Sequence, residues 1–254
     1  MKIYPPNFLD GGQRSPEWLK QRVGNVTASR VGDIMGRKRD GGYYQKRIDY
    51  MDELIAEILT GKATESYVTA EMEFGTEYED EARGAYEAHT EMFVDQVGFV
   101  LHPELARVGA SPDGLVGKVG GVEIKVPKTI THLRWKRAGV VPQEHKWQML
   151  LNMDCCVHDQ PREWWDFFSY DPRLKGDLGK FHVRMHRDEK ELEKMRAEIV
   201  LFLDELSDEL IRMTEPLSKQ LERSIAAKKQ FNRIHQSDEE LRAELGSLEG
   251  TIVP

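Results

Sequence analysis

The chain has 254 residues, with 36 lysines and arginines against 44 aspartates and glutamates, for a formal charge of −8. That length accommodates one large domain, or one domain with an appendage, and a substantial core. The acidic balance excludes a uniformly basic surface, so any contact with nucleic acid must rely on locally concentrated positive charge. The only two cysteines, Cys155 and Cys156, are adjacent, which excludes a disulfide framework and predicts a reducing compartment. No apolar run approaches ~20 residues and the amino terminus lacks a signal-like apolar stretch, so a non-secreted protein outside the membrane is expected.

In chain order, Pro5-Pro6 and Gly11-Gly12 predict an irregular arm. Ser15-Pro16-Glu17-Trp18 then opens a short helix, with Ser as cap and Pro in the first turn, ending at Val23-Gly24. Val26 to Met35 predicts a second short helix with Val31, Ile34 and Met35 as its apolar face. Arg37 to Gly42 is a basic loop, suited either to solvent or to a DNA backbone. Ile48, Met51, Leu54, Ile55 and Ile58 follow helical spacing up to a stop at Gly61. Thr69 to His89 predicts one further helix, dense in acid at Glu77, Glu79, Asp80 and Glu81. Strands are expected over 92–102 and 105–110.

Ser111 to Pro127 (SPDGLVGKVGGVEIKVP) predicts a hairpin, its turn at Gly120-Gly121 and its second strand at 122–126. Alternate side chains of a strand share a face, so Glu123 and Lys125 point one way and Val122, Ile124 and Val126 the other. Asp113 arrives from the preceding strand. Two carboxylates with carbonyl oxygens form a hard-oxygen site of the kind Mg²⁺ prefers. A lysine beside them can orient or deprotonate a bound water and offset developing negative charge. The bland alternative is an exposed hairpin face carrying a Glu–Lys pair.

Beyond the hairpin, helices are expected over 129–138 and 142–152, and strands over 153–158, 163–170 and 180–185 that close a central sheet. From Asp188 a long amphipathic helix carries Leu192, Met195, Ile199, Phe202 and Leu206. Pro216 opens a tail helix with Leu217, Leu221, Ile225 and a basic run from Arg223 to Arg233. His89, His132 and His158 are dispersed without metal-ligand spacing.

Asp113, a strand-sized gap, then Glu123-x-Lys125 resembles the signature of PD-(D/E)xK nucleases, in versions without the four cysteines of an iron–sulfur cluster. More widely, the chain resembles the lambda-exonuclease and YqaJ-type viral recombinase family over about positions 15–213. The resemblance rests on Glu17-Trp18 with Arg22-Val-Gly and Thr27-Ala28-Ser29, and on Phe74-Gly75-Thr-Glu-Tyr78-Glu79 with Ala82-Arg83. It continues through Ser111-Pro-Asp113-Gly-Leu115, Glu123-Ile-Lys125-Val-Pro127, Gln148, Tyr170-Asp171-Pro172-Arg173 and Arg187-Asp188-Glu189-Lys190.

The resemblance implies a nuclease domain over 1–213 and a helical extension over 214–254. Its fold would be an α/β restriction-endonuclease-like core, a mixed central sheet flanked by helices. Asp113, Glu123 and the Ile124 carbonyl would hold Mg²⁺, with Mn²⁺ a possible substitute, and Lys125 would stand beside the attacking water. Glu79 matches a further acidic residue near the metal and Gln148 a glutamine lining the site, though extra residues around 157–163 loosen that local match. Arg22, Ser29 and Ser111 match positions that grip a 5′-terminal phosphate. The implied activity is 5′-to-3′ digestion of double-stranded DNA to mononucleotides and a 3′ single-stranded tail, in phage-type recombination in a bacterial cytoplasm. The implied partners are DNA ends, two further copies in a ring-shaped homotrimer, and a single-strand annealing protein. The rivals are an endonuclease of the same superfamily and a catalytically silent DNA-binding or annealing-partner module.

Overall fold

A computed structural model describes residues 4–9, 12–64, 69–216, 219, 222–226 and 228. The chain divides into two compact units, 1–204 and 205–254, and the site described below lies in the first. In chain order the elements are α1 (Pro16–Arg22), β1 (Val26–Thr27), α2 (Val31–Met35), α3 (Gln45–Thr60), α4 (Ala70–Glu77), α5 (Glu79–Thr90), β2 (Val94–Asp95), β3 (Val100–Leu101), β4 (Val108–Ala110), β5 (Gly114–Val116), β6 (Gly120–Lys125), α6 (Thr129–Ala138), α7 (Gln143–Cys155), β7 (Trp164–Tyr170), β8 (Lys180–His186) and α8 (Glu189–Thr214). The strands form a five-stranded sheet, β2-β5-β6-β7-β8, and a three-stranded sheet, β1-β4-β3. The result is the expected mixed α/β architecture with helices flanking sheet. Among the described residues no helix is long and apolar enough to cross a membrane.

β7, reading WWDFFSY, explains the layering. Its side chains from Trp165 to Ser169 are all buried, as expected of a strand covered on both faces. On one face Phe167 meets Trp135 of α6 and His145 of α7; on the other Phe168 meets Tyr86 of α5. β6 runs parallel beside it with Glu123 opposite Phe167 and Ile124 opposite Phe168. Val122 and Ile124 therefore join Ala82, Tyr86 and Phe168 in an apolar cluster, while Glu123 faces α7.

Several expectations are corrected. Val26 and Thr27 are not helical: the β-branched pair is drawn into a parallel pairing with β4, and the helix begins only at Val31. The single helix expected over 69–89 breaks at Tyr78 (φ −99°, ψ 6°), which starts α5 afresh at Glu79. On α3 the inward face carries Arg47, Tyr50, Leu54 and Ile55, and Ile48 is exposed. The strand expected over 153–158 is instead the last turn of α7, to Cys155, followed by irregular chain, with Asp154 buried. The expected tail helix with Leu217, Leu221 and the run to Arg233 lies mostly outside the described residues.

The hairpin turn also moves. It sits at Gly117–Val119, where Gly117 takes a φ of +56°, and Gly120-Gly121 begin β6. Those two glycines are there because the indoles of β7 occupy the space of their missing side chains. A Cβ on Gly120 would lie 2.1 Å from Trp164 and one on Gly121 2.3 Å from Trp165. Trp165 is fully buried and cannot swing into solvent. Gly121→Ala is therefore expected to destabilise the fold by about 1–3 kcal/mol through overpacking. Urea unfolding checks this; a midpoint equal to that of the wild type would refute the close approach.

Candidate active site

Strand β6 runs parallel to β7, and its carboxyl end opens onto a crevice, the usual place for a ligand in such sheets. A cavity of about 450 Å³ at this end is lined by Asp113, Ile124 and Lys125 and, around them, Glu79, Arg14 and His145. Asp113 lies just before β5, and its Oδ2 accepts a hydrogen bond from the Ile124 main-chain N–H at 2.7 Å. Glu123 is fully buried; its Oε2 accepts from the Asn152 amide at 3.2 Å and its Oε1 pairs with the Lys125 ammonium. The three residues of the motif thus converge as the strand alternation predicts.

Burial, reinforced by the Glu123 charge, raises the Asp113 carboxyl to about 7, against the pull of Lys125 and of the Ile124 N–H. Burial also works against the Lys125 ammonium, but the Glu123 and Asp113 carboxylates outweigh it and hold Lys125 above the ordinary lysine range. Two carboxylates confined in one buried place repel each other's charge, and a divalent cation beside them removes that cost. Among the described residues no three His, Cys, Asp or Glu side chains gather as a metal cluster. Two carboxylates and a neighbouring main-chain carbonyl fit Mg²⁺, which takes one or two carboxylates and leaves the other positions to water and substrate phosphate. They do not fit a structural zinc site, which needs four protein ligands.

Glu79 stands on the cavity wall at the start of α5, placed there by the break at Tyr78. Its two oxygens pair with Arg14 and, at 3.3 Å, with Arg83, so it borders the carboxylate pair without joining it in a three-carboxylate cluster. Gln148 lies on α7, one turn beyond His145 and one turn before Asn152. These three residues form a stripe along the helix at spacings of three and four, and the Gln148 side chain bonds His145. Burial, then the Lys125 charge, lowers His145 to about 3 against that bond, so the cavity wall carries a neutral imidazole. Sequence reasoning missed Asn152 and His145. Their helical register with Gln148 was the available signal.

Of the residues matched to a 5′-phosphate pocket, two meet. Ser111, two residues before Asp113, receives hydrogen bonds at its Oγ from Arg22 Nη1 (3.2 Å) and Trp18 Nε1 (2.9 Å). The Arg22 guanidinium lies 4.4 Å over the Trp18 ring, a stacking that α1 enforces through the i, i+4 spacing. Burial pulls Arg22 below its ordinary value, opposed by Tyr50 and Glu57. Ser29 is not drawn into this pair: it is exposed ahead of α2, its hydroxyl 3.3 Å from that of Thr27. The basic loop after α2 also turns partly inward, since Arg37 lies over the Tyr43 ring at 3.7 Å and pairs with Glu198.

Residues 17–158, more than half of the chain, match the YqaJ-like viral recombinase domain. Two solved structures of an alkaline exonuclease from Laribacter hongkongensis are similar. One is 38% identical with a TM-score of 0.70 and the other, in complex with dAMP, 39% identical with a TM-score of 0.71. Each comparison covers 84% of this chain and 99% of that one. A phage-related exonuclease from Haemophilus somnus shares the fold at 14% identity and a TM-score of 0.56, covering 75% of this chain and 96% of that one. No curated protein matches by sequence. With the hairpin motif, the crevice and these similarities together, the chain belongs to the YqaJ-like viral recombinase family and has the fold of the alkaline exonucleases.

Proposed function

We propose that the chain is a Mg²⁺-dependent exonuclease, accepting Mn²⁺ as a substitute, that digests double-stranded DNA from a 5′ end. It would release mononucleotides and leave a 3′ single-stranded tail for recombination. The observation that supports this is that Ser111, bonded by Arg22 and Trp18, lies two residues before Asp113, so that on this reading one chain segment would join the phosphate contact to a metal ligand. Family membership and the alkaline exonuclease neighbours support the reading.

Asp113, Glu123 and the Ile124 carbonyl would hold the cation, which when bound would activate water and offset charge on the phosphoryl oxygens. Lys125, an ammonium anchored by Glu123, holds a water in line with the phosphorus and offsets negative charge as the P–O bond lengthens. Asn152 fixes the Glu123 carboxylate from behind. Arg22 and Ser111 receive the terminal phosphate, the guanidinium through charge-assisted hydrogen bonds. On the same reading, supported by family membership alone, three copies form a ring threaded by the duplex. A single-strand annealing protein takes over the tail in the cytoplasm of a bacterium.

The test compares linear duplex bearing a 5′-phosphate, linear duplex bearing a 5′-hydroxyl, and covalently closed circles, each with Mg²⁺ and with chelator. Loss of the 5′-phosphorylated duplex alone, only with Mg²⁺, is expected, and Arg22→Ala should cut that rate roughly 10–100-fold, as loss of a charge-assisted phosphate contact would. Nicking of circles would move the chain to the endonuclease reading. Cleavage of no substrate would leave a binding module.

A further inference from the structure

Arg14 carries a second unusual feature besides its place on the cavity wall. It is the third residue of a turn closed by the Ser15 N–H on the Gly12 carbonyl (3.1 Å), and its φ is +69°. That position of a turn favours Gly or Asn, and an arginine there is held against its backbone preference. Among the described residues two other non-glycine residues have positive φ, and one of them, Glu91, is explained as the left-handed cap of α5. Nothing in the turn itself calls for an arginine at position 14.

The surroundings show what the side chain meets. Gln13, its neighbour, donates to the Pro112 carbonyl at 2.7 Å and so ties the turn to the residue before Asp113. The Arg14 side chain, 53% exposed, then reaches across the opening to Glu79. The cavity is lined by the carboxylates of Asp113, Glu79 and Glu71 against two permanent cations, Lys125 and Arg14. Lys125, half-buried at the end of β6, is engaged by Glu123. Glu71 lies at the other side and pairs with Lys128. A phosphodiester entering this cavity therefore meets one guanidinium from the solvent side.

Resting on the exonuclease reading above, we infer that Arg14 is a substrate-binding residue that exchanges Glu79 for a phosphate of the DNA strand at the cavity. Glu79 keeps a cation through the exchange, because Arg83 holds its other oxygen at 3.3 Å. The exchange therefore leaves no carboxylate unpaired. Its contact is with charge and oxygen geometry, so it acts on any base sequence.

The test measures binding of 5′-phosphorylated duplex, in chelator, to an Asp113→Asn chain, which is expected to cleave too slowly to deplete the probe and has one fewer negative charge in the cavity. Affinity is followed by fluorescence anisotropy over a range of salt, with Arg14→Gly and Arg14→Lys introduced in turn. Arg14→Gly is expected to weaken binding roughly tenfold and to lower the slope of log K against log salt by about 0.9, one phosphate contact. Arg14→Lys should keep the slope. A residue with only a structural role would behave otherwise: Gly suits the turn, so the melting temperature would hold or rise while the salt slope stayed put. An unchanged slope in Arg14→Gly overturns the assignment. Cleavage by the chain with Asp113 intact is scored in parallel; its absence overturns the exonuclease reading and with it this inference, whatever the slope.

Discussion

Asp113→Asn is expected to lower cleavage of linear duplex by roughly 10³-fold or more, with the chain still folded. The magnitude follows from several kcal/mol of charge stabilisation lost with the metal, at 1.36 kcal/mol per tenfold. The fold should survive because an asparagine Oδ1 can still accept the Ile124 N–H that Asp113 accepts now. The same substitution removes a pH dependence. Without divalent cation, Asp113 titrates near 7 in the folded chain, so between the ordinary carboxylate range and 7 the folded state holds a proton the unfolded state has released. Stability in chelator should then fall as pH rises through that window. Mg²⁺ should reverse the fall, and Asp113→Asn should abolish it. Thermal melts at pH 5 and 8, with and without Mg²⁺, report all three; undiminished cleavage, or a metal-free melting point indifferent to pH, would refute the assignment.

Asp154→Ala should produce the largest loss of stability, about 3 kcal/mol. Asp154 is almost completely buried near the end of α7, and its two oxygens receive Arg196 Nε (2.7 Å), Arg187 Nη2 (3.2 Å) and His102 Nε2 (3.0 Å). Burial raises its carboxyl, but the bonds from His102 and Arg196 more than reverse this and hold it below the ordinary carboxylate range. Its contribution is therefore present above that range and is lost as pH falls through it. Removing it strands a buried imidazole and takes one carboxylate from the Arg187 guanidinium, which is 12% exposed and keeps Glu189 and the Met153 carbonyl. Arg196, 31% exposed, recovers solvation, which keeps the loss at the lower end for a buried pair. The melting temperature should fall by roughly 6–12 °C for a domain of this size. Because Asp154 lies two residues beyond Asn152, loosening α7 should also lower kcat more than it raises KM. A melting point within about a degree of the wild type would show that the network contributes nothing.

How far the sequence disclosed this molecule depended on the range of the interaction involved. The Asp113 hairpin was legible because strand alternation is local: Glu123 and Lys125 had to share a face once 122–126 was extended. α1 was legible for the same reason, with Ser15 accepting from the Trp18 N–H as a cap should. Gly120-Gly121 misled because the pair is a common turn signal, and only the indoles on the next strand, some forty residues on, reveal that it is a strand making room. Val26-Thr27 was misread because its partner, β4, lies some eighty residues on. Met153 to Cys156 have strand-like composition, but Asp154 finds its cations only on α8 and the segment before it. Asn152 was invisible because its role depends on a buried carboxylate across the helix–sheet interface. Arg14 was passed over inside an arm that offered no periodicity at all.

The order of strands in the larger sheet has one more consequence. β6 is bonded to β7 from Gly120 to Lys125, and on its other edge to β5 as far as Val122, beyond which the Asp113 carboxylate takes the Ile124 N–H. Glu123 and Lys125 thus sit on an interior strand, and its amide protons are expected to exchange only when the whole first unit opens. The Glu123–Lys125 pair is then not expected to be lost by fraying while the domain persists. Heating should then leave no native but inert population of this kind: the amide protection of β6 and the capacity to cleave should disappear together. Arg14, on an exposed turn, stands outside that cooperative unit, and its contribution can fade at temperatures where the chemistry still runs.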